Sequence, residues 1–183
     1  MKTQGNAVFE TAIFGGGCFW CLEPVFRALA GVCDVQPGYC GGHVDAPTYE
    51  QVCAHDTGHV EVVRIDYDPQ QVGYRTLLGV FFGTHDPTTP DRQGHDIGPQ
   101  YASVIFYQDD AQRLAAQAVR DEVQAHFDSP ICTRIRPAGT FWPAEPLHRE
   151  YYRQHPEQGY CQFVIAPKMA KFRQKYAHLL GRA

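Results

Sequence analysis

Cys18 stands directly after Gly15-Gly16-Gly17 and directly before a segment that reads as a helix, in the run GGGCFWCLE. Glycines permit a tight turn whose backbone N–H groups face a concavity, and a helix start adds its positive end. Both effects favour thiolate over thiol, so the expectation is a lowered pKa and a sulfur nucleophilic at neutral pH. The plain alternative is a buried cysteine that packs as a small hydrophobe after a turn. Cys21 completes a C-x-x-C spacing. As half of a zinc site it needs a second pair at matching spacing, and Cys33, Cys40, Cys53, Cys132 and Cys161 offer none, so no metal is expected. As a redox dithiol it has the right strand-to-helix context, but the residues between are Phe19 and Trp20, an apolar surface beside the sulfur.

Three further residue types carry usable chemistry. Glu61 lies among Val60, Val62 and Val63. Desolvation there would favour the neutral carboxyl, raise its pKa and leave it able to donate a proton near pH 7, whereas an edge-strand glutamate would simply face water. Tyr49 and Tyr101 sit on two long loops; a phenol can donate a hydrogen bond to a developing oxyanion without ionising. Asp96, in the second loop, is by itself a turn aspartate. His55 and His59 are four apart, but Gly58 and the strand that follows argue against a helical metal pair.

The elements that must position these groups alternate between strand and helix. Residues 7–14, 32–36, 59–67, 101–107, 131–135 and 163–165 read as strands, of which 59–67 is the richest in β-branched residues. Helices are expected over 18–29, with regular helix starting near Glu23 because Pro24 is tolerated in a first turn, and over 72–83, 109–127, 145–154 and 167–180. In the 109–127 helix Leu114, Ala115, Ala118, Val119, Val123 and Phe127 fall on one face. Loops span 37–58 and 85–100, long enough to be functional. With no repeat, low-complexity tract or linker, the economical reading is one domain over 1–183, an α/β (α+β) two-layer sandwich.

Composition narrows the function classes. With 16 basic against 20 acidic residues and a net charge of −4, no electrostatic footprint for nucleic acid is present. The longest apolar runs, such as 77–82, are far too short to span a bilayer. Glu10 within the first apolar run spoils a signal-peptide reading, so the expectation is a cytoplasmic protein whose seven cysteines are core thiols or redox groups.

The runs GCFWC (17–21), PTYEQVC (47–53) and DTGHVEVV (56–63) resemble peptide methionine sulfoxide reductase A, as do RQGHDIGPQYAS (92–103), PAGTFWPAE (137–145) and GYCQFVIAPK (159–168). The resemblance runs from about residue 12 to the last helix, with the motifs in order. It implies a ferredoxin-like mixed sheet with packed helices and a long irregular C-terminal region. It also implies reduction of the S epimer of methionine sulfoxide, free or in oxidised proteins, by a monomer without metal or organic cofactor. Thioredoxin, or dithiothreitol in its place, would be the reductant. In that scheme Cys18 attacks sulfur and becomes a sulfenic acid. Glu61 donates a proton; Tyr49 and Tyr101 bind the sulfoxide oxygen; Asp96 contacts substrate or orients the site; Phe19 and Trp20 seat the methyl group. Cys161 matches the resolving cysteine, on what reads as a mobile tail, and Cys21 is a second possible resolver or a relay. The chain departs from the family at Ala102 and at Pro146-Leu147, positions that bear on substrate preference.

Two other readings remain. A thioredoxin-like disulfide oxidoreductase using Cys18 and Cys21 would have no use for an acid at Glu61. A non-enzymatic methionine-binding or redox-sensing module would bind without turnover.

Overall fold

In the computed structural model, which describes residues 8–181, two strands set the site's geometry by simple alternation. β1 (Glu10–Gly16) pairs antiparallel with a later strand, Val60–Tyr67, with Phe14 opposite Val63. Successive side chains on a strand point to opposite faces. Ala12, Phe14, Val63, Ile65 and Tyr67 therefore meet one core, while Ile13, Val60 and Val62 meet a smaller cluster behind the sheet. The same parity puts Glu61 on the side of Val63 and Ile65, two of its strand neighbours, and away from Val60 and Val62.

In chain order the remaining elements are α1 (Phe19–Arg27), β2 (Val32–Cys40), α2 (Tyr49–Cys53), β3 (the Val60–Tyr67 strand), α3 (Tyr74–Thr84), β4 (Arg92–Gln93) and β5 (Asp96–Ile97). There follow β6 (Ser103–Tyr107), α4 (Asp110–Val123), β7 (Arg134–Pro137), β8 (Trp142–Pro143), α5 (Tyr151–Gln154) and α6 (Ala166–Lys175). Six strands form one sheet in the order β7-β6-β1-β3-β2-β8, and β4 pairs with β5 in a separate hairpin. Only β6 and β7 run parallel within the large sheet. Phe26 of α1, Phe81 of α3, Val119 of α4 and Met169 of α6 join the core on one face, and loop residues Ala138 and Phe141 cover the other. This is the expected mixed sheet with packed helices. Among the described residues no helix is long and apolar enough to cross a membrane.

Several boundaries differ from expectation, each for a local reason. β1 starts at Glu10, and Ala7 lies outside the described residues. α1 begins at Phe19 rather than near Glu23, so Pro24 lies in its second turn. The loop placed at 37–58 gives its first residues to β2 and contains α2. There Thr48 Oγ accepts from Gln51 N and Gln51 Oε1 accepts from Thr48 N at 2.8 Å, a capping box spelled T-x-x-Q. The buried face of α4 is Gln112, Ala116 and Val119, with Leu114 exposed. Gln112 can be buried because its amide is satisfied, accepting from Gln108 N and donating to Thr11 O. β7 starts late because the N–H groups of Ile131 and Cys132 are bonded to Gln124 Oε1 and Pro87 O, off the sheet.

The C-terminal region departs most. The expected helix over 145–154 is a 3-10 turn (Pro146–His148) and the short α5, separated by Glu150 at φ +52°. The expected strand at 163–165 is a π-helical turn, Cys161–Ile165, that runs directly into α6. Its wide register ends with Ala166 N donating to Cys161 O, immediately before Pro167, which has no N–H to continue a regular ladder.

Candidate active site

Gly17, at φ +97°, ends β1 in a conformation that L side chains rarely adopt and delivers Cys18 to the N-cap of α1. The first helical N–H, that of Phe19, donates to Glu61 Oε2 at 3.0 Å. Glu61 thus caps the helix that carries Cys18 and leaves Oε1 to hold a proton. Burial pushes its pKa up to about 8; the Phe19 N–H opposes this, and Asp96 and Cys21 add to it. The carboxyl is accordingly neutral and able to donate at pH 7, as the valine-rich context suggested.

The expectation of a lowered pKa for Cys18 is overturned. The helix start does supply an N–H, from Trp20, that favours thiolate. Burial, the hydrogen bond to Cys21 and the nearby Glu61 outweigh it and hold Cys18 well above the usual thiol range. The partner moves the other way. The Cys18 hydrogen bond, against burial, and then the Lys168 ammonium bring Cys21 down to about 7. The two thiols behave as a pair sharing a proton, with the charge placed on Cys21.

A cavity of about 340 Å³ opens on this pair and is lined also by Asp96, Tyr160, Phe163 and Lys168. Tyr160 donates to Asp96 Oδ2 at 2.6 Å, and its oxygen lies 3.4 Å from Cys21 Sγ. Asp96, on β5, therefore reaches the cysteines through a phenol carried just ahead of Cys161. Tyr49 is the first residue of α2, and Tyr101 closes a 3-10 turn, Pro99–Tyr101. Burial and the charge of Glu61 raise both phenols, so both keep their protons at neutral pH. Cys18, Cys21 and Asp96 thus share the cavity, Glu61 joins them through the Phe19 N–H, and Tyr49 and Tyr101 lie within reach of the charge of Glu61, outside the cavity's lining.

Phe19 and Trp20 are enclosed by aromatic neighbours. Phe19 is fully buried against Tyr39 and His148. Trp20 stacks on Tyr151 at 3.8 Å and donates from Nε1 to His148 Nδ1 at 3.1 Å. Cys161, expected on a mobile tail, is instead fully buried as the first residue of the π turn, and burial raises its pKa. His59 does not brace Glu61; it accepts from Gly42 N and bonds Val44 O, pinning the loop before α2. Cys33 is exposed, which sets it apart from the core thiols, and Cys132 donates to Pro87 O.

Reasoning from the sequence missed four contributors. Tyr160 and Lys168 lie in GYCQFVIAPK, and Glu145 and His148 in or beside PAGTFWPAE; only their presence in those motifs marked them. Glu145 accepts from Tyr39 O–H at 3.1 Å and from Tyr49 N at 3.0 Å, which fixes the start of α2 over the site.

A family model described as peptide methionine sulfoxide reductase matches residues 10–180. Peptide methionine sulfoxide reductase MsrA of Chromobacterium violaceum is 58% identical over 173 residues, covering 93% of this chain and 98% of that protein. The crystal structure of Mxr1 from Saccharomyces cerevisiae in reduced form is similar, with TM-score 0.81 and 33% identity over 86% of this chain and 91% of that one. Methionine sulfoxide reductase A of Corynebacterium diphtheriae aligns with TM-score 0.77 and 32% identity, over 85% of this chain and 78% of that one.

Proposed function

The chain belongs to the peptide methionine sulfoxide reductase family, oxidoreductases that reduce methionine sulfoxide, and from that premise we propose how its own residues carry the reaction. Cys18 attacks the sulfoxide sulfur of the S epimer. Its thiol proton passes to Cys21, the partner whose thiolate is favoured. Glu61 gives its proton to the sulfoxide oxygen, and Tyr49 and Tyr101 donate hydrogen bonds to that oxygen as charge develops. The protonated oxygen passes to Cys18: the sulfoxide S–O bond and the bond just made between the two sulfurs break, a Cys18 S–O bond forms, methionine leaves, and Cys18, oxidised by two electrons, is a sulfenic acid. Of the aromatic pair, Trp20 keeps surface to seat the methyl group, while Phe19, fully buried against Tyr39 and His148, can only support that wall from within. The observation that carries this reading is the neutral carboxyl of Glu61 capping the helix of the nucleophile.

Resolution follows in the same turn. Cys21 N donates to Cys18 O at 3.0 Å, which holds the two residues within one helical turn and supports a disulfide between them. Cys21 releases to solvent the proton it took from Cys18, its thiolate attacks the Cys18 sulfur, an S–S bond forms, the S–O bond breaks, and the oxygen leaves as water with a proton from solvent. Cys161, held in the adjacent turn, then attacks Cys21, restores the Cys18 thiol and carries the disulfide onward. Mxr1, whose reduced form shares this fold, also forms a complex with Trx2, which supports a thioredoxin dithiol as the final electron donor here. In this reading the chain acts as a single-domain monomer in a reducing cytoplasm, on free methionine sulfoxide and on oxidised proteins, with no metal or organic cofactor.

The test is the reaction of racemic N-acetyl-methionine sulfoxide without reductant, followed separately for each sulfur epimer. Wild type should form up to about two methionines per chain, from one epimer only, because the Cys21–Cys161 disulfide restores the Cys18 thiol, and Cys18→Ser none. Consumption of both epimers, or turnover surviving in the serine variant, would exclude Cys18 as the stereospecific nucleophile.

A further inference from the structure

Lys168 has no part in the sulfoxide step, yet it stands in the wall of the cavity on which both cysteines open. It lines the same cavity as Cys18, Cys21, Asp96 and Tyr160. It lies seven residues beyond Cys161, at the edge of the helical stripe Cys161, Ile165, Met169 and Phe172 that packs into the core. Withdrawing an ammonium from water is costly unless an anion faces it. The anions its charge meets are Cys21 and Cys18 as thiolates and Asp96.

The groups facing Cys21 come from every surrounding element. They are Cys18 on its own turn, Glu61 on β3, His95 and Asp96 on the β4–β5 hairpin, Tyr160 and Cys161 at the π turn, and Lys168 on α6. Glu61 keeps its proton and so adds no charge that favours a thiolate, and Asp96 opposes one. Tyr160 has one proton and gives it to Asp96. The Cys18 thiol stabilises the Cys21 thiolate in the resting enzyme, but that thiol is consumed when Cys18 is oxidised. Among the described residues Lys168 is then the remaining ammonium in the wall beside Cys21; burial lowers its pKa, and the charges of Cys21 and Cys18 work against that.

We infer that Lys168 is a positioning residue for the resolving step: from the cavity wall it keeps Cys21 charged after Cys18 has been oxidised, and so makes Cys21 the attacking sulfur. The step is balanced as Cys21–S⁻ attacking Cys18–S–OH, with the S–S bond formed, the S–O bond broken and hydroxide leaving as water after taking a proton from solvent in the cavity. The inference rests on the assignment of Cys18 as nucleophile and Cys21 as first resolver.

The experiment compares wild type, Lys168→Met and Lys168→Arg in two readouts. In a Cys18→Ser background, whose hydroxyl can still donate to Cys21, iodoacetamide labelling of the Cys21 peptide is followed by mass spectrometry against pH. The methionine variant should raise the labelling midpoint by about one pH unit or more, and arginine should restore it. With Cys18 intact, rapid mixing with the sulfoxide should show Cys18–Cys21 disulfide formation slowed about tenfold relative to methionine release at pH 6 in the methionine variant. An unmoved midpoint, or equal slowing of both steps, overturns the role of Lys168 while leaving the reductase intact. If wild type releases methionine but forms no Cys18–Cys21 disulfide, the resolver assignment and this inference fall together; if it releases none, the assignment of Cys18 falls first.

Discussion

Two buried glutamates meet the same helix, and they show what a cation does to a carboxyl. Glu61 and Glu23 are each 1% exposed, and each accepts one backbone N–H, from Phe19 at 3.0 Å and from Glu150 at 2.8 Å. Burial raises both. Glu23 also has Arg27, one turn along α1 at 2.9 Å, whose guanidinium reaches Asp34 and Glu150 as well. Arg27 favours the ionised form of Glu23, which becomes an anchor for the segment that lays Tyr151 over Trp20. Glu61 faces Asp96 and Cys21 and no cation, so its proton stays on. Burial alone makes an acid; burial beside a guanidinium makes a tether.

The sharpest way to break that contrast is to replace each carboxyl by its amide. Glu61→Gln keeps shape and the Phe19 hydrogen bond but has no proton to transfer, and methionine release in a single turnover should slow by about 10²–10⁴-fold. Glu23→Gln should slow it by less than about tenfold, because Glu23 acts only through the segment it holds. Equal losses would mean that Glu61 is structural too.

Stability should show the reverse ranking. Glu23→Gln leaves Arg27 with its partly buried guanidinium and only Asp34 and Glu150 nearby, at a cost of about 2 kcal/mol; the 30% exposure of the Arg27 side chain keeps this below the loss for a fully buried pair. Glu61→Gln at pH 6 exchanges one neutral group for another and should cost under about 1 kcal/mol. Urea midpoints of the three proteins at pH 6 decide it, and a larger loss for Glu61→Gln would invert the assignment of roles.

What could be read from the sequence was whatever a local pattern encodes. The three glycines before Cys18 marked the turn, and the valines flanking Glu61 marked a carboxyl held away from water. The mixed sheet followed from strand and helix alternation. What escaped depends on distant partners. Tyr160 meets Asp96 across 64 residues, and Glu145 meets Tyr39 across 106, with no periodicity to announce either. The Cys18 expectation failed for the same reason: a turn and a helix start are local and were read correctly, but the burial that reverses their effect is supplied by the whole fold. In the C-terminal region, Pro167 does stand in the first turn of α6, but nothing local announces that the apolar run before it is a π turn rather than a strand.

The last way to sharpen the contrast uses pH: both carboxyls are raised in the fold, so both lose stability as pH rises, and Glu61, with no guanidinium beside it, should lose the more. In the unfolded chain Glu61 ionises near 4.5, and in the fold near 8. Between those values the folded protein holds a proton that the unfolded chain has released. The stability Glu61 contributes is therefore complete below about pH 4.5 and is lost as pH rises to about 8, with a slope of ~1.4 kcal/mol per pH unit across the window. Glu61→Gln removes that slope, so its stability relative to wild type should climb by that amount for each unit through the window and then level off. His85, buried neutral with its pKa brought down to about 4, and Cys21, down to about 7, give both proteins their own pH dependence. Taking the difference between variant and wild type cancels His85 outright, and Cys21 to the extent that it does not respond to the charge of Glu61. Urea midpoints from pH 5 to 8.5 measure it. Parallel curves would show that Glu61 ionises in the fold as it does in the open chain, and would leave the site without its acid.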